Sequence, residues 1–126
     1  MTVIAAWSFT VLAALVVAFQ LALVAGAPWG RFTQGGAHEG RLPPPARAAA
    51  AASAVVLAGL ALLILARAGL LGDASRAASM PWAWAAVVVS VLTTLANAAS
   101  RSRYERAVFL PIALGMTAAS LIVLLA

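Results

Sequence analysis

Hydrophobic positions along this chain come in long unbroken runs, separated by short polar segments, rather than as the one-sided stripe of a surface helix or the alternation of a strand. The first run, Val3 to Ala27, contains no charged residue. It exceeds the roughly 20 apolar residues needed to cross a bilayer, so it predicts a membrane-spanning helix over about 3–26. Gly26 and Pro28 end it in the usual order, glycine at the cap and proline just beyond. No basic residue precedes the run and its apolar core is longer than that of a signal peptide, so a retained helix is expected.

The longest polar segment follows, PWGRFTQGGAHEGRLPPPAR from Pro28 to Arg47. Its glycines and the Pro43-Pro44-Pro45 run exclude a continuous helix, and Trp29 and Phe32 are apolar enough to fold it back onto the membrane surface. A second helix is expected over about 46–68, with Pro45 tolerated in its first turn and Gly69 ending it. Ala50, Ala54 and Ala58 form a ridge of small residues on which another helix could approach closely. Gly69 to Met80 reads as a loop, and Trp82 and Trp84 as interfacial anchors opening a third helix over about 82–99. In that helix Ser90, Thr93, Asn97 and Arg101 recur at helical spacing, a stripe that should face protein because lipid offers no hydrogen-bond partner. Ser102-Arg103-Tyr104-Glu105 fits a capping box, Ser102 as N-cap and Glu105 three residues on, which starts a fourth helix over about 103–125. The third and fourth helices then form an antiparallel hairpin, and Gly115 and Ala119 make a second small-residue ridge. No motif repeats between the halves. The expected fold is all-α: one domain, residues 1–126, forming an integral membrane four-helix bundle with one long Gly/Pro-rich inner loop.

Composition agrees with that pattern. The chain is 65% hydrophobic and 9% charged, against about 25% charged in soluble domains, and its 126 residues leave room for about four spans. All eight basic residues are arginines, opposed by three acids, for a net charge of +5. Because the arginines flank apolar runs, they read as topology signals touching lipid headgroups, and no nucleic-acid partner is expected. Arg31, Arg41 and Arg47 flank the first connection and Arg101, Arg103 and Arg106 the third, whereas only Arg67 and Arg76 lie on the opposite side. Positive residues in short loops stay in the cytoplasm, so the long loop is expected inside and both termini outside, in the inner (plasma) membrane. The absence of cysteine excludes disulfides and thiolate chemistry, and one histidine with three scattered acids makes a metal site unexpected.

Candidate chemistry is sparse. His38-Glu39 is the only adjacent pair suited to proton transfer, but neighbours in a glycine-rich loop need a third group to orient them. The glycines match neither phosphate-binding pattern, and no strand precedes them. Gln20 lies about 9 Å inside the loop-side end of the first helix, at a depth similar to Thr93 and one turn below Asn97. An amide at that depth needs partners, so these residues are expected either to clamp helices together or to floor a small polar cavity under the loop. Arg47 and Arg101 would stand at its rim and suit an anionic or carbonyl-bearing headgroup. Trp29, Arg31 and Glu105 complete the candidate ligand-binding set with Gln20, His38, Glu39, Arg47, Thr93, Asn97 and Arg101. No catalytic residue, cofactor or metal is assigned. No charge sits in mid-span, and proton-coupled exporters of this size use a glutamate where this chain offers only Gln20, so an antiporter is not expected.

The pattern GAPWGRFTQGG followed by GRLPPPAR, with ANAASRSRYER and Pro111 further on, resembles a family of small four-helix bacterial membrane proteins. The resemblance covers nearly the whole chain and implies that the long loop and the third connection share one face. It brings no activity, substrate or cofactor. The expected function is a non-enzymatic accessory or ligand- and lipid-binding module with a polar site at the cytoplasmic face. A small membrane enzyme or carrier acting on an amphiphile is the alternative, and an oligomeric channel or transporter the third reading. Expected partners are the lipid bilayer, a second copy or a larger membrane complex held through the small-residue ridges, and a lipid or quinone-like ligand.

Overall fold

The computed structural model describes residues 1–126 and is built of helices without a strand. Three long helices, α1 (Thr2–Val24), α2 (Pro44–Arg67) and α5 (Arg103–Leu125), are each long and apolar enough to cross a membrane. Between α2 and α5 lie a short helix, α3 (Asp73–Ser79), a single tight turn over Met80–Trp82, and α4 (Ala85–Ala98).

The helix ends follow from local chemistry. At the end of α1, Gly26 takes φ +102°, and the N–H groups of Gly26 and Ala27 donate back to the carbonyls of Leu23 and Ala22. Gly69 ends α2 by the same arrangement, with φ +84° and bonds from Gly69 and Leu70 to Ala66 and Leu65. In both places a side chain would be strained, and the orphan carbonyls of the last turn are satisfied. Pro44 and Pro45 occupy the first turn of α2, where no N–H is required.

The region after Gly69 differs from the expected loop and third helix. Seven of its residues form α3, closed by Arg67 Nη1 and Ser79 Oγ, both donating to the Arg76 carbonyl at 3.2 and 2.6 Å. A turn this short is held by local and capping bonds rather than by an apolar face, so no hydrophobic period announces it. The third helix is correspondingly shorter than expected, starting at Ala85 instead of residue 82, and the α3 segment meets α4 at a bend of 52°. Pro81 lacks the donor that would have continued a straight helix through the bend.

The helices run up and down. α1 packs most extensively against α2, α5 packs against both α4 and α1, and α2 touches α4 and α5 only sparsely. At the end away from the long loop, Ala6, Phe9, Ile64, Ala86, Ala119 and Val123 belong to one core cluster that ties all four longer helices together. At the loop end a separate cluster, Leu23, Leu42, Ala46 and Ala50, joins only α1, α2 and the loop. The small-residue ridges are used inside this packing. Ala50 and Ala54 are 1% and 5% exposed, and a side-chain atom added at Gly115 would lie 3.0 Å from Leu12 of α1. Only Ala58 of the expected α2 ridge is exposed. The buried members of these ridges therefore hold the chain's own helices together.

Candidate functional site

The uneven packing leaves a cleft in the loop-side half. With α2 and α4 scarcely touching there, a cavity of about 380 Å³ opens between them, with α1 and α5 as its back wall. Its walls are mainly apolar: Phe19 from α1, Val56 and Leu57 from α2, and Phe109 and Met116 from α5. Val56, on the α2 lip, is 49% exposed, so this flank is not sealed by a neighbouring helix.

A polar track crosses these walls. Ser90, Thr93 and Asn97 occupy one face of α4, a helical spacing that lays them along roughly 10 Å of the cleft, and Gln20 enters from α1. Ser90 and Asn97 are 3% and 8% exposed. The Ser90 Oγ and Gln20 Oε1 are buried without a hydrogen-bond partner in the protein. A buried polar atom left in this state costs about 1–3 kcal/mol, so a packing role alone does not account for it. By contrast Thr94, one residue along α4, is satisfied: its hydroxyl donates to the Ser90 carbonyl at 2.8 Å and lies 3.2 Å from the Thr117 hydroxyl of α5. Thr94 thus faces α5, while Ser90, Thr93 and Asn97 of the expected stripe form the track in the cleft.

The long loop roofs the cleft. Trp29 stacks on Phe19 with ring centroids 6.0 Å apart, and Phe19 meets Phe109 at 4.8 Å, so Trp29 backs a cleft wall without lining it. Gly30 donates to the Gly40 carbonyl at 3.0 Å and closes the loop on itself. The loop is then fastened to the start of α5. Ser102 Oγ donates to the Arg31 carbonyl and accepts from Glu105 N at 3.2 Å, while Glu105 Oε1 accepts from Gly35 N at 3.3 Å. Half of the expected capping box is present, since Ser102 caps α5. The other half is replaced: the Glu105 carboxylate reaches across to the loop, and Ser102 N donates instead to Ser100 Oγ at 3.1 Å. Gln34 Nε2 completes the attachment by donating to the Ala46 carbonyl at 2.9 Å.

Of the candidate residues, Gln20, Thr93, Asn97 and Glu105 line the cleft together. The arginine rim is not there. Arg47 turns away to donate from Nε to the Leu42 carbonyl at 2.9 Å. Because α4 ends at Ala98, Arg101 leaves the helical stripe and joins Arg31, Glu39, Arg103 and Tyr104 around a separate depression between the loop and the α4–α5 turn. There the Arg31 and Arg103 guanidinium groups lie 5.3 and 5.2 Å from the centre of the Tyr104 ring. His38 and Glu39 are exposed and absent from the cleft, and it is the His38 backbone carbonyl, not its imidazole, that packs against Gly30. No group of three metal-ligating side chains is present.

Most of the apolar lining, Phe109 among it, and the hydroxyls of Ser53 and Thr33 were not among the residues expected at the site. Ser53 did carry a signal, as the one hydroxyl in α2 between Arg47 and Arg67. Thr33 and Phe109 carried none, because the place of Thr33 depends on how the loop docks and that of Phe109 on how α5 packs against Phe19 of α1. No family model, curated protein or solved structure matches this chain.

Proposed function

We propose that this chain is a multi-pass inner-membrane protein whose bent α3–α4 segment counts as a fourth crossing, and that it serves as a non-enzymatic binding module for an amphiphile. In this reading both termini face outward, and the long loop lies at the cytoplasmic face, roofing the cleft. The observation that carries the reading is the pair of partnerless buried polar atoms, Gln20 Oε1 and Ser90 Oγ, inside a mainly apolar cleft whose flank between α2 and α4 is open. Small-molecule sites share that character: an apolar lining with a few placed polar groups, in volumes of about 300–1,000 Å³. A lateral mouth lets a lipid-dissolved molecule enter without crossing water. The same open flank supports a carrier as the second reading, since a ligand can leave by the way it came. The enzymatic alternative loses its proposed pair, as His38 and Glu39 lie outside the cleft.

The test is retention of a ligand. Purified from bacterial membranes in mild detergent, the chain is expected to carry a bound amphiphile visible by native mass spectrometry, and Val56→Trp, which fills the cleft mouth, is expected to lose it. Equal retention by the Trp variant, or no bound amphiphile on the parent chain, would count against the reading.

A further inference from the structure

We infer that the ligand is an uncharged amphiphile whose polar end bears a hydroxyl group; this rests on the binding reading above and narrows it. The two partnerless atoms set complementary demands. Gln20 Oε1 accepts and requires a donor, whereas Ser90 Oγ can donate or accept. Asn97, also facing the cleft and 8% exposed, offers both functions, and its side chain makes no hydrogen bond within the protein. A hydroxyl both donates and accepts, so it can answer either amide orientation at Gln20 as well as the serine. A ketone or an ester carbonyl can only accept, so with Gln20 Oε1 facing the cleft it leaves that acceptor unanswered, whereas a hydroxyl serves in both orientations.

Charge narrows the class further. Arginine would be needed to hold a phosphate or carboxylate in so apolar a place, and none lines the cleft. The only charged lining group is Glu105, which repels an anion. It already accepts from Gly35 N and sits in the first turn of α5, at the loop end, so it does not reach the deeper Ser90 level. A cationic head drawn to Glu105 would therefore leave Ser90 unanswered. At about 380 Å³ the cleft suits a compact polar group with part of one chain rather than a whole phospholipid.

Three probes with one oleyl tail test this on the full chain in micelles: 1-oleoylglycerol, oleate and oleylamine. Decyl-hydroquinone serves as an aromatic hydroxyl probe. Saturable binding of 1-oleoylglycerol or decyl-hydroquinone in preference to the charged probes is the expected result, the tighter of the two identifying an aliphatic or an aromatic source. Ser90→Ala and Gln20→Leu should each weaken that binding about three- to tenfold, the loss of one hydrogen bond. Neither should lower the thermal midpoint of the ligand-free protein, because each removes an unsatisfied group. Thr93→Val, of similar volume, carries the test if Gln20→Leu does not fold. Tighter binding of oleate or oleylamine that Val56→Trp still blocks would overturn the hydroxyl assignment and leave the cleft standing. If no probe binds saturably, or Val56→Trp changes nothing, the cleft reading fails and this one with it.

Discussion

A methyl group on Gly30 would run into the carbonyl oxygen of His38 and lie 2.6 Å from that of Gly40, both backbone atoms with no rotamer to escape by. Gly30→Ala is therefore expected to unseat the loop at a cost of about 1–3 kcal/mol. The readout is a lower thermal midpoint in micelles together with faster tryptic cutting at Arg31 and Arg41; an unchanged midpoint would mean the loop does not close this way. Ser102 joins two roles, capping α5 and holding the Arg31 carbonyl. Its replacement by alanine should cost about 0.5–2 kcal/mol as a cap, measured by the same melt, and should loosen the loop as well. The cap was legible from the spacing of Ser102 and Glu105. The destination of the Glu105 carboxylate was not, because its partner Gly35 is 70 positions away along the chain and no local pattern encodes that meeting.

Between elements, the deciding fact is which side of α2 carries its small residues inward. Ala54 is 5% exposed, while Ala58, one turn on, is exposed. Ala54→Leu is thus expected to destabilise the protein by about 1–3 kcal/mol through overpacking, and Ala58→Leu to change it by less than about 0.5 kcal/mol. Equal effects in thermal melts would show that Ala54 is not packed inside the bundle. The alanine pattern announced close packing but not its partner, since any helix can approach a smooth face. A similar limit governs α4. Its 14 residues span about 21 Å, short of the roughly 30 Å hydrocarbon core, so the fourth crossing proposed above would need the bent segment from Asp73 to Trp82 as well. Apolar composition located this region, but α3 and the 52° bend depend on capping bonds around Arg76 and on the lost donor at Pro81.

At the scale of the whole molecule, six of the eight arginines gather at the end that carries the long loop and the α4–α5 turn, leaving Arg67 and Arg76 at the other. A reporter active only outside the cytoplasm, fused after Ala126, is expected to be active, and the same reporter inserted between Gly35 and Gly36 to be silent; the reverse pattern would invert the orientation. The sequence by itself determined the all-helical class, the three long apolar helices and the clustering of charge at one end. These follow from run length, Gly and Pro placement and composition, which act locally and survive whatever the helices do next. That Gln20 and Asn97 meet under the loop was legible as two amides at similar depth; only the tertiary structure decided that α2 and α4 part there, that the amides line a cleft instead of clamping helices together, and that the arginines stay outside it. In a chain so uniformly apolar, the hydrophobic pattern cannot say which face meets which neighbour, because nearly every face would serve. Steric fit of small residues and a handful of hydrogen bonds make that choice, and they act between residues far apart in the chain.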